Sequence, residues 1–267
     1  MLAASASLLN IPVVILDLGP QAPAKQILAP TVPHLAHVDG SFTDPEKIRE
    51  LAAKVDVLTV EIEHVNVDVL EEVQHSCSME VHPDPSTIRI IQDKFRQKEH
   101  LLSHSFPVAS FLPVEPTAEG ITDAAANLGL PLMLKSKTLA YDGRGNFVLR
   151  DLSQLQDALD FLGERPLYAE KWIPFVKEIA AMVVRTTSGH VYSYPVVETV
   201  HKDNICHLVF APLRIRVAEL SVRAQKIAEG AVQSLRGAGV FGVEMFLLGD
   251  GTSMSLSCIS TGMPNGV

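Results

Sequence analysis

The chain has 267 residues, 47% of them hydrophobic, enough to build one large domain or two smaller ones around a substantial core. Its formal net charge of −9 argues against non-specific binding to DNA, RNA or an anionic membrane surface, and favours a small-molecule partner. The three cysteines, Cys77, Cys206 and Cys258, are widely spaced with no CxxC pair, which fits neither a disulfide framework nor a zinc site and points to a reducing, cytosolic (cytoplasmic) setting.

The apolar start lacks the basic segment of a signal peptide, since the first positive charge is Lys25 and the apolar run is broken at Asn10-Ile11-Pro12. Leu2 to Leu9 reads as the tail of a helix, followed by a β-branched strand over Val13–Leu18 that Gly19-Pro20 closes. Pro45–Lys54 reads as a helix, Val57–Glu61 as a strand and Val67–Gln74 as a helix, an alternation expected of a βαβ region with a parallel sheet. Pro83-Asp84-Pro85-Ser86 interrupts it, with Ser86 a candidate N-cap, and apolar residues at helical spacing predict helix from Thr87 to His104, broken near Asp93. A helix at Thr122–Leu128, strands at Leu132–Lys135 and Phe147–Arg150, and a helix at Ser153–Leu162 suggest a small α+β lid. Strands are expected at Leu167–Lys171, Glu178–Thr186 and Val191–Val197, with a hairpin turn at Ser188-Gly189. A helix at Ala218–Leu235, a strand at Val240–Leu248, a Gly249-Asp250-Gly251 turn and a polar, serine-rich segment close the chain.

The stretch from Lys135 to Asn146 carries the most chemistry. Two glycines, Gly143 and Gly145, flank Arg144, so the backbone can bend close to an anion and present N–H donors while Lys135 and Arg144 add positive charge. Alone, the same residues also suit an ordinary hairpin tip, because Asp-Gly is a common turn dipeptide. Glu61 and Glu63 flank Ile62 at a strand end, where alternation turns both carboxylates to one face, a placement suited to hydroxyl recognition.

Five ordered blocks carry a resemblance: Asp56-Val-Leu-Thr-Val-Glu-Ile-Glu-His-Val65, Ile90-Ile-Gln-Asp-Lys-Phe-Arg-Gln-Lys-Glu-His-Leu101, Leu134-Lys-Ser-Lys-Thr-Leu-Ala-Tyr-Asp-Gly-Arg-Gly-Asn-Phe-Val148, Tyr168-Ala-Glu-Lys-Trp-Ile-Pro-Phe175 and Phe241-Gly-Val-Glu-Met-Phe246. Over about residues 8 to 250 the chain resembles the ATP-grasp superfamily, and within it the carboxyaminoimidazole ribonucleotide synthetases, with wording close to the ATP-dependent part of fungal phosphoribosylaminoimidazole carboxylase. The resemblance implies an α/β, ATP-grasp fold: a truncated Rossmann-like preATP-grasp domain over residues 1–85, then an ATP-grasp domain over 86–267 with a lid at about 107–166 and atypical final strands, the family's C-terminal domain being absent. The implied reaction belongs to purine biosynthesis, the ATP-driven carboxylation of 5-aminoimidazole ribonucleotide by bicarbonate through carboxyphosphate. Implied partners are those three small molecules, with magnesium as the metal, no nucleic acid or membrane, and a homodimer where the fold is intact.

Matched position by position, the resemblance places Lys94 and Lys135 on phosphate contacts and the flap Ala140, Tyr141, Gly143, Gly145 and Asn146 over ATP. Asp142 falls near the substrate amine and Arg144 near bicarbonate or the transferring phosphoryl group, as catalytic candidates that also bind substrate together with Tyr141. Glu170, Lys171, Trp172 and Ile173 match a hinge that reads adenine, Glu178 the ribose contact, and His201, in an expected loop, another nucleotide contact. Glu61 is preferred over Glu63 for the substrate ribose, and Glu244 matches one magnesium ligand.

Both ends depart from the pattern. The chain starts inside what would be the family's first helix, without the glycine-rich turn that precedes it, and Ser257 and Cys258 stand roughly where an Asn-Glu pair is expected. A thiol is a poor magnesium ligand, so a weakened metal site and little or no turnover are expected. The alternatives are an inactive nucleotide-binding remnant, and an ATP-grasp enzyme with a different ribonucleotide acceptor.

Overall fold

The structure, a computed structural model, describes residues 2–27, 36–76, 79–138, 145–202, 205–215, 218–251 and 253–261. Its contacts divide the chain into two compact units, Met1–Ile88 and Arg89–Val267.

The first unit contains α1 (Leu2–Leu8), β1 (Leu16–Asp17), α2 (Pro23–Ile27), β2 (Val38–Asp39), α3 (Pro45–Ala52), β3 (Val57–Thr59), α4 (Val67–Ser76), β4 (Glu80–His82) and the start of α5 (Pro85–Gln92). β1 pairs with β2 and β3 with β4, both parallel, as the alternating pattern requires. Ile48, Leu58, Leu70, Val73, Val81 and Ile88 form its core. α3 starts where a proline suits the first helical position: Pro45 follows Asp44, whose carboxylate accepts the Glu46 N–H at 2.9 Å. At α5 the cap is Asp84 rather than Ser86, its Oδ1 accepting the Ser86 N–H at 3.0 Å, with Pro85 opening the helix.

Two strands of this unit, and in the second unit the one expected at Val191–Val197, which ends at Ser193 with Val197 opening a separate strand, are shorter than the sequence suggests. Only Leu16–Asp17 of Val13–Leu18 pairs, because its partner β2 offers two residues. β3 stops at Thr59, paired with His82; the residue that follows β4, Pro83, has no N–H to continue the ladder. Glu61 and Glu63 therefore lie in a bend and not on a strand, and alternation does not set their direction.

The second unit continues with α6 (Lys94–Ser103), β5 (Phe111–Val114), α7 (Ala118–Leu128), β6 (Leu132–Ser136), β7 (Asn146–Leu149), α8 (Leu155–Leu162), β8 (Leu167–Lys171), β9 (Phe175–Arg185), β10 (Val191–Ser193), β11 (Val197–Lys202), β12 (Ile205–Phe210), α9 (Ala218–Gln233), β13 (Gly239–Leu248) and β14 (Met254–Thr261). The helix break expected near Asp93 is there: its carboxylate caps α6, accepting the Arg96 N–H at 3.0 Å. The strands form a four-stranded antiparallel sheet in the order β5-β8-β6-β7, and a six-stranded sheet in the order β12-β11-β9-β13-β14 with β10 paired to β9. At the β9–β10 turn Gly189 has φ of 85°, a conformation glycine adopts without strain.

Each sheet buries one face under helices. Leu132, Leu134, Leu149, Leu167 and Ala169 pack with Ile121, Ala124 and Leu162 of α7 and α8. Ile179, Val183, Phe241, Val243 and Met245 pack with Leu101 of α6 and Ala224, Ala228 and Val232 of α9. The serine-rich close is the full strand β14, antiparallel to β13 over seven residue pairs, because Leu256 and Ile259 supply the apolar face that composition concealed. His201 sits on β11 and not in a loop; β12 pairs across from it and completes a hairpin. Among the described residues no helix is long and apolar enough to cross a membrane.

Candidate functional site

The faces of the two sheets turned away from α7, α8 and α9, together with Lys94, Gln97 and Lys98 of α6, bound a cavity of about 380 Å³ within the second unit. Strand alternation selects what enters it. On β6, Leu132 and Leu134 go to the core while Met133 and Lys135 line the cavity; on β13, Val243 and Met245 go to the core while Glu244 and Phe246 line it. On β14 the register slips between Glu244 and Met245, with Cys258 opposite Glu244 and Leu256 opposite Met245. Ser257 is the extra residue, and this bulge keeps Leu256 and Ile259 in the core while bringing Cys258 beside Glu244.

Four lysines, Lys94, Lys98, Lys135 and Lys171, share the wall with Met133, Val148, Trp172, Ile173, Phe175 and Phe246. Phe175 and Phe246 stack with centroids 4.5 Å apart. The cavity thus combines cationic groups with a flat apolar surface, the chemistry that holds a phosphorylated aromatic ligand. The Ser136 and Ser255 hydroxyls on its wall have no hydrogen-bond partner among the described residues.

At its centre, Glu170 is a buried carboxylate between two ammonium groups. Lys135 Nζ donates to Oε2 at 3.1 Å, and Lys98 Nζ lies 3.1 Å from Oε1. Burial alone would push Glu170 up, but Lys135 and Lys98 outweigh it and bring the group down to about 2. Burial lowers Lys98, with the Glu170 charge opposing that trend. Tyr168 beside them is pushed well above its ordinary value, first by burial and then by the Glu170 charge.

Glu178 and His201 meet through Oε2 and Nδ1, and this contact, against a smaller effect of burial, raises the histidine. Cys258 donates its S–H to Glu244 Oε2 at 3.1 Å, and burial followed by the Glu244 charge pushes the thiol up. A protonated thiol on the one carboxylate of β13 does not make a magnesium site: the metal favours hard oxygen donors. Among the described residues no cluster of three or more His, Cys, Asp or Glu side chains is arranged to hold a metal.

Of the residues singled out in the sequence, Lys94, Lys135, Asn146, Glu170, Lys171, Trp172, Ile173, Glu178, His201 and Glu244 all line this cavity. Gly145 is buried beside it, its carbonyl accepting the Ser136 N–H at 2.7 Å. Ala140, Tyr141, Asp142, Gly143 and Arg144 lie outside the described residues. Glu61 belongs to the first unit, where it lines a separate, mostly apolar cavity of about 480 Å³ with Leu16, Leu58 and Ile62. Sequence reasoning missed Gln97 and Lys98: in a helix reading Lys-Phe-Arg-Gln-Lys-Glu-His they look like a solvated face, yet both are almost fully buried. The available signal was Leu101 at helical spacing from them, on a face that had to be covered.

The ATP-grasp domain model matches residues 99–260, and the ribonucleotide synthetase preATP-grasp domain model matches residues 1–92. The chain belongs to the ATP-grasp family. It is 55% identical over 251 residues to the phosphoribosylaminoimidazole carboxylase of Ogataea methanolica, a match covering 94% of this chain and 45% of that protein. The carboxyaminoimidazole ribonucleotide synthase of Aspergillus clavatus, solved in complex with ATP, matches with a TM-score of 0.92 at 47% identity, covering 98% of this chain and 67% of that one. The A. clavatus N5-carboxyaminoimidazole synthase in complex with ADP and 5-aminoimidazole ribonucleotide matches with a TM-score of 0.89 at 46% identity, covering 97% and 66%. The chain therefore spans less than half the length, 45%, of its Ogataea relative.

Proposed function

We propose that this chain carries the ATP-dependent carboxylation of 5-aminoimidazole ribonucleotide in purine biosynthesis. Bicarbonate oxygen attacks the γ-phosphorus of ATP and ADP leaves; the substrate amine then attacks the carbon of the resulting carboxyphosphate and phosphate leaves. Such chemistry asks the protein to position anions and offset their charge more than to supply a nucleophile. The observation that carries the reading is the one cavity in which Lys94, Lys98 and Lys135 meet the Trp172, Ile173, Phe175 and Phe246 wall, in a chain 55% identical to a phosphoribosylaminoimidazole carboxylase.

In this reading Lys94 and Lys135 contact the phosphates, the Glu170–Ile173 segment takes adenine and Glu178 takes the ribose hydroxyls. Asp142 orients the amine and Arg144 holds the oxyanion, with Ala140, Tyr141, Gly143, Gly145 and Asn146 covering the nucleotide and Glu61 reaching the substrate ribose. The four-stranded sheet with α7 and α8 acts as the lid over ATP. Glu244 would give magnesium a single carboxylate, so metal-dependent turnover is weak. The setting is cytoplasmic and the assembly, where the fold is intact, a homodimer.

The test is 5-aminoimidazole-ribonucleotide-dependent phosphate release from ATP with magnesium and bicarbonate, using the chain and its Asp142→Ala variant. Release that needs the ribonucleotide and disappears in the variant supports the reading; release indifferent to the ribonucleotide refutes it. The Cys258–Glu244 contact favours a second reading, a nucleotide-binding protein without turnover. That reading predicts ATP binding with no phosphate release.

A further inference from the structure

Lys98 is unusual among charged side chains in being 2% exposed, and it is held from two directions. Its Nζ donates to the Leu256 carbonyl of β14 at 3.2 Å and lies 3.1 Å from Glu170 Oε1 at the end of β8. The helix that carries it is pinned in register: the Gln97 amide donates to the Ile259 carbonyl at 2.8 Å and accepts the Ile259 N–H at 2.9 Å. Lys98 is therefore a cation on a fixed mount. Lys135, on the other oxygen of the same carboxylate, is the more exposed ammonium of the pair, its side chain 19% accessible against 3% for Lys98.

This asymmetry matters because one carboxylate shared with one ammonium leaves no net charge. Were Lys135 the only partner of Glu170, the buried carboxylate would claim it, and the cavity would lose the attraction of that ammonium for an anion. With Lys98 fixed behind on Oε1, the carboxylate is shared between two lysines, and Lys135 on Oε2 is oriented by Glu170 without being its sole partner.

We propose that Lys98 is a positioning residue for phosphate recognition: by sharing the Glu170 carboxylate from behind, it leaves Lys135 aimed into the cavity as an available cation. The inference rests on the nucleotide reading of this cavity and assigns a role to a lysine that the reading counts in the wall without giving it one. Lys98 acts through Glu170, so its effect is confined to the phosphate part of the ligand and vanishes when Glu170 is no longer an anion.

The experiment is a titration of the chain with ATP and, separately, with adenosine, followed by the fluorescence of Trp172, the single tryptophan and a cavity residue. Lys98→Met is expected to weaken ATP binding by about tenfold or more, the equivalent of one charge-assisted contact, with adenosine binding within about twofold of the parent. Lys98→Arg, which keeps the charge, is expected to restore most of the ATP affinity. The same substitution made in the Glu170→Gln background supplies the readout that a merely structural role would not move, and that comparison can be read even should Lys98→Met alone fail to fold. The Lys98→Met/Glu170→Gln variant should bind ATP within about twofold of Glu170→Gln alone.

ATP binding by Lys98→Met equal to the parent, an equal loss for adenosine, or a tenfold gap between the double variant and Glu170→Gln would each overturn the proposal. Failure of the folded parent chain to bind ATP would instead overturn the nucleotide reading, and this inference with it.

Discussion

Glu170→Gln tests the electrostatic centre of the C-terminal unit. The substitution keeps the side-chain volume but removes the carboxylate that, among the described residues, pairs with both Lys98 and Lys135, leaving two ammonium groups facing a neutral amide. Removing one partner of a buried ionic group typically costs about 3–5 kcal/mol. The pH dependence gives a second, independent figure. Glu170 is depressed from 4.5 to about 2, so its contribution is fully present above the unfolded value and is lost as pH falls toward the folded one. The full shift corresponds to about 3 kcal/mol, and about 2 kcal/mol of it is gone by pH 3. The assay is urea denaturation at pH 7, 5 and 3 followed by Trp172 fluorescence, for the parent and the variant. The parent should lose about 2 kcal/mol more than Glu170→Gln between pH 5 and pH 3. Equal stability of the two proteins at pH 7, or parallel acid profiles, would refute the reasoning.

Phe241→Ala empties a fully buried position on β13 and should cost about 3–5 kcal/mol in a urea melt. His201 should titrate above 6.5 by NMR and move back toward that value in Glu178→Gln; its stabilising contact is present below 6.5 and is lost as pH rises through the folded value. Cys258→Glu places a second carboxylate beside Glu244 and should increase the preference for magnesium-ATP over metal-free ATP in a binding titration; an unchanged ratio would contradict the account of the metal position.

Much of the second unit was legible because its segments follow simple periods. Leu132–Lys135 alternates core and cavity residues, and a strand read there already puts Lys135 beside the flap. Asp93 announced its helix break by being a capping residue within a run of helix formers. β14 was concealed because the serines that fill its cavity face and bulge hide the spacing of Leu256 and Ile259. Strand length in the first unit was misjudged at Glu61 and Glu63, since a ladder ends where its partner ends and Pro83 lies far along the chain. Lys98 escaped for a related reason: its burial is decided by Glu170 of β8 and Leu256 of β14, more than seventy positions away, and the one local signal, Leu101 at helical spacing, does not single it out among its charged neighbours.

The most direct test of the account is calorimetric titration of the folded chain with ATP, repeated on Lys135→Met. The account predicts saturable binding at one site per chain, weakened by about tenfold or more when the Lys135 charge is removed. No heat of binding from a chain shown to be folded, or equal affinity in the variant, would contradict the assignment of this cavity to a nucleotide.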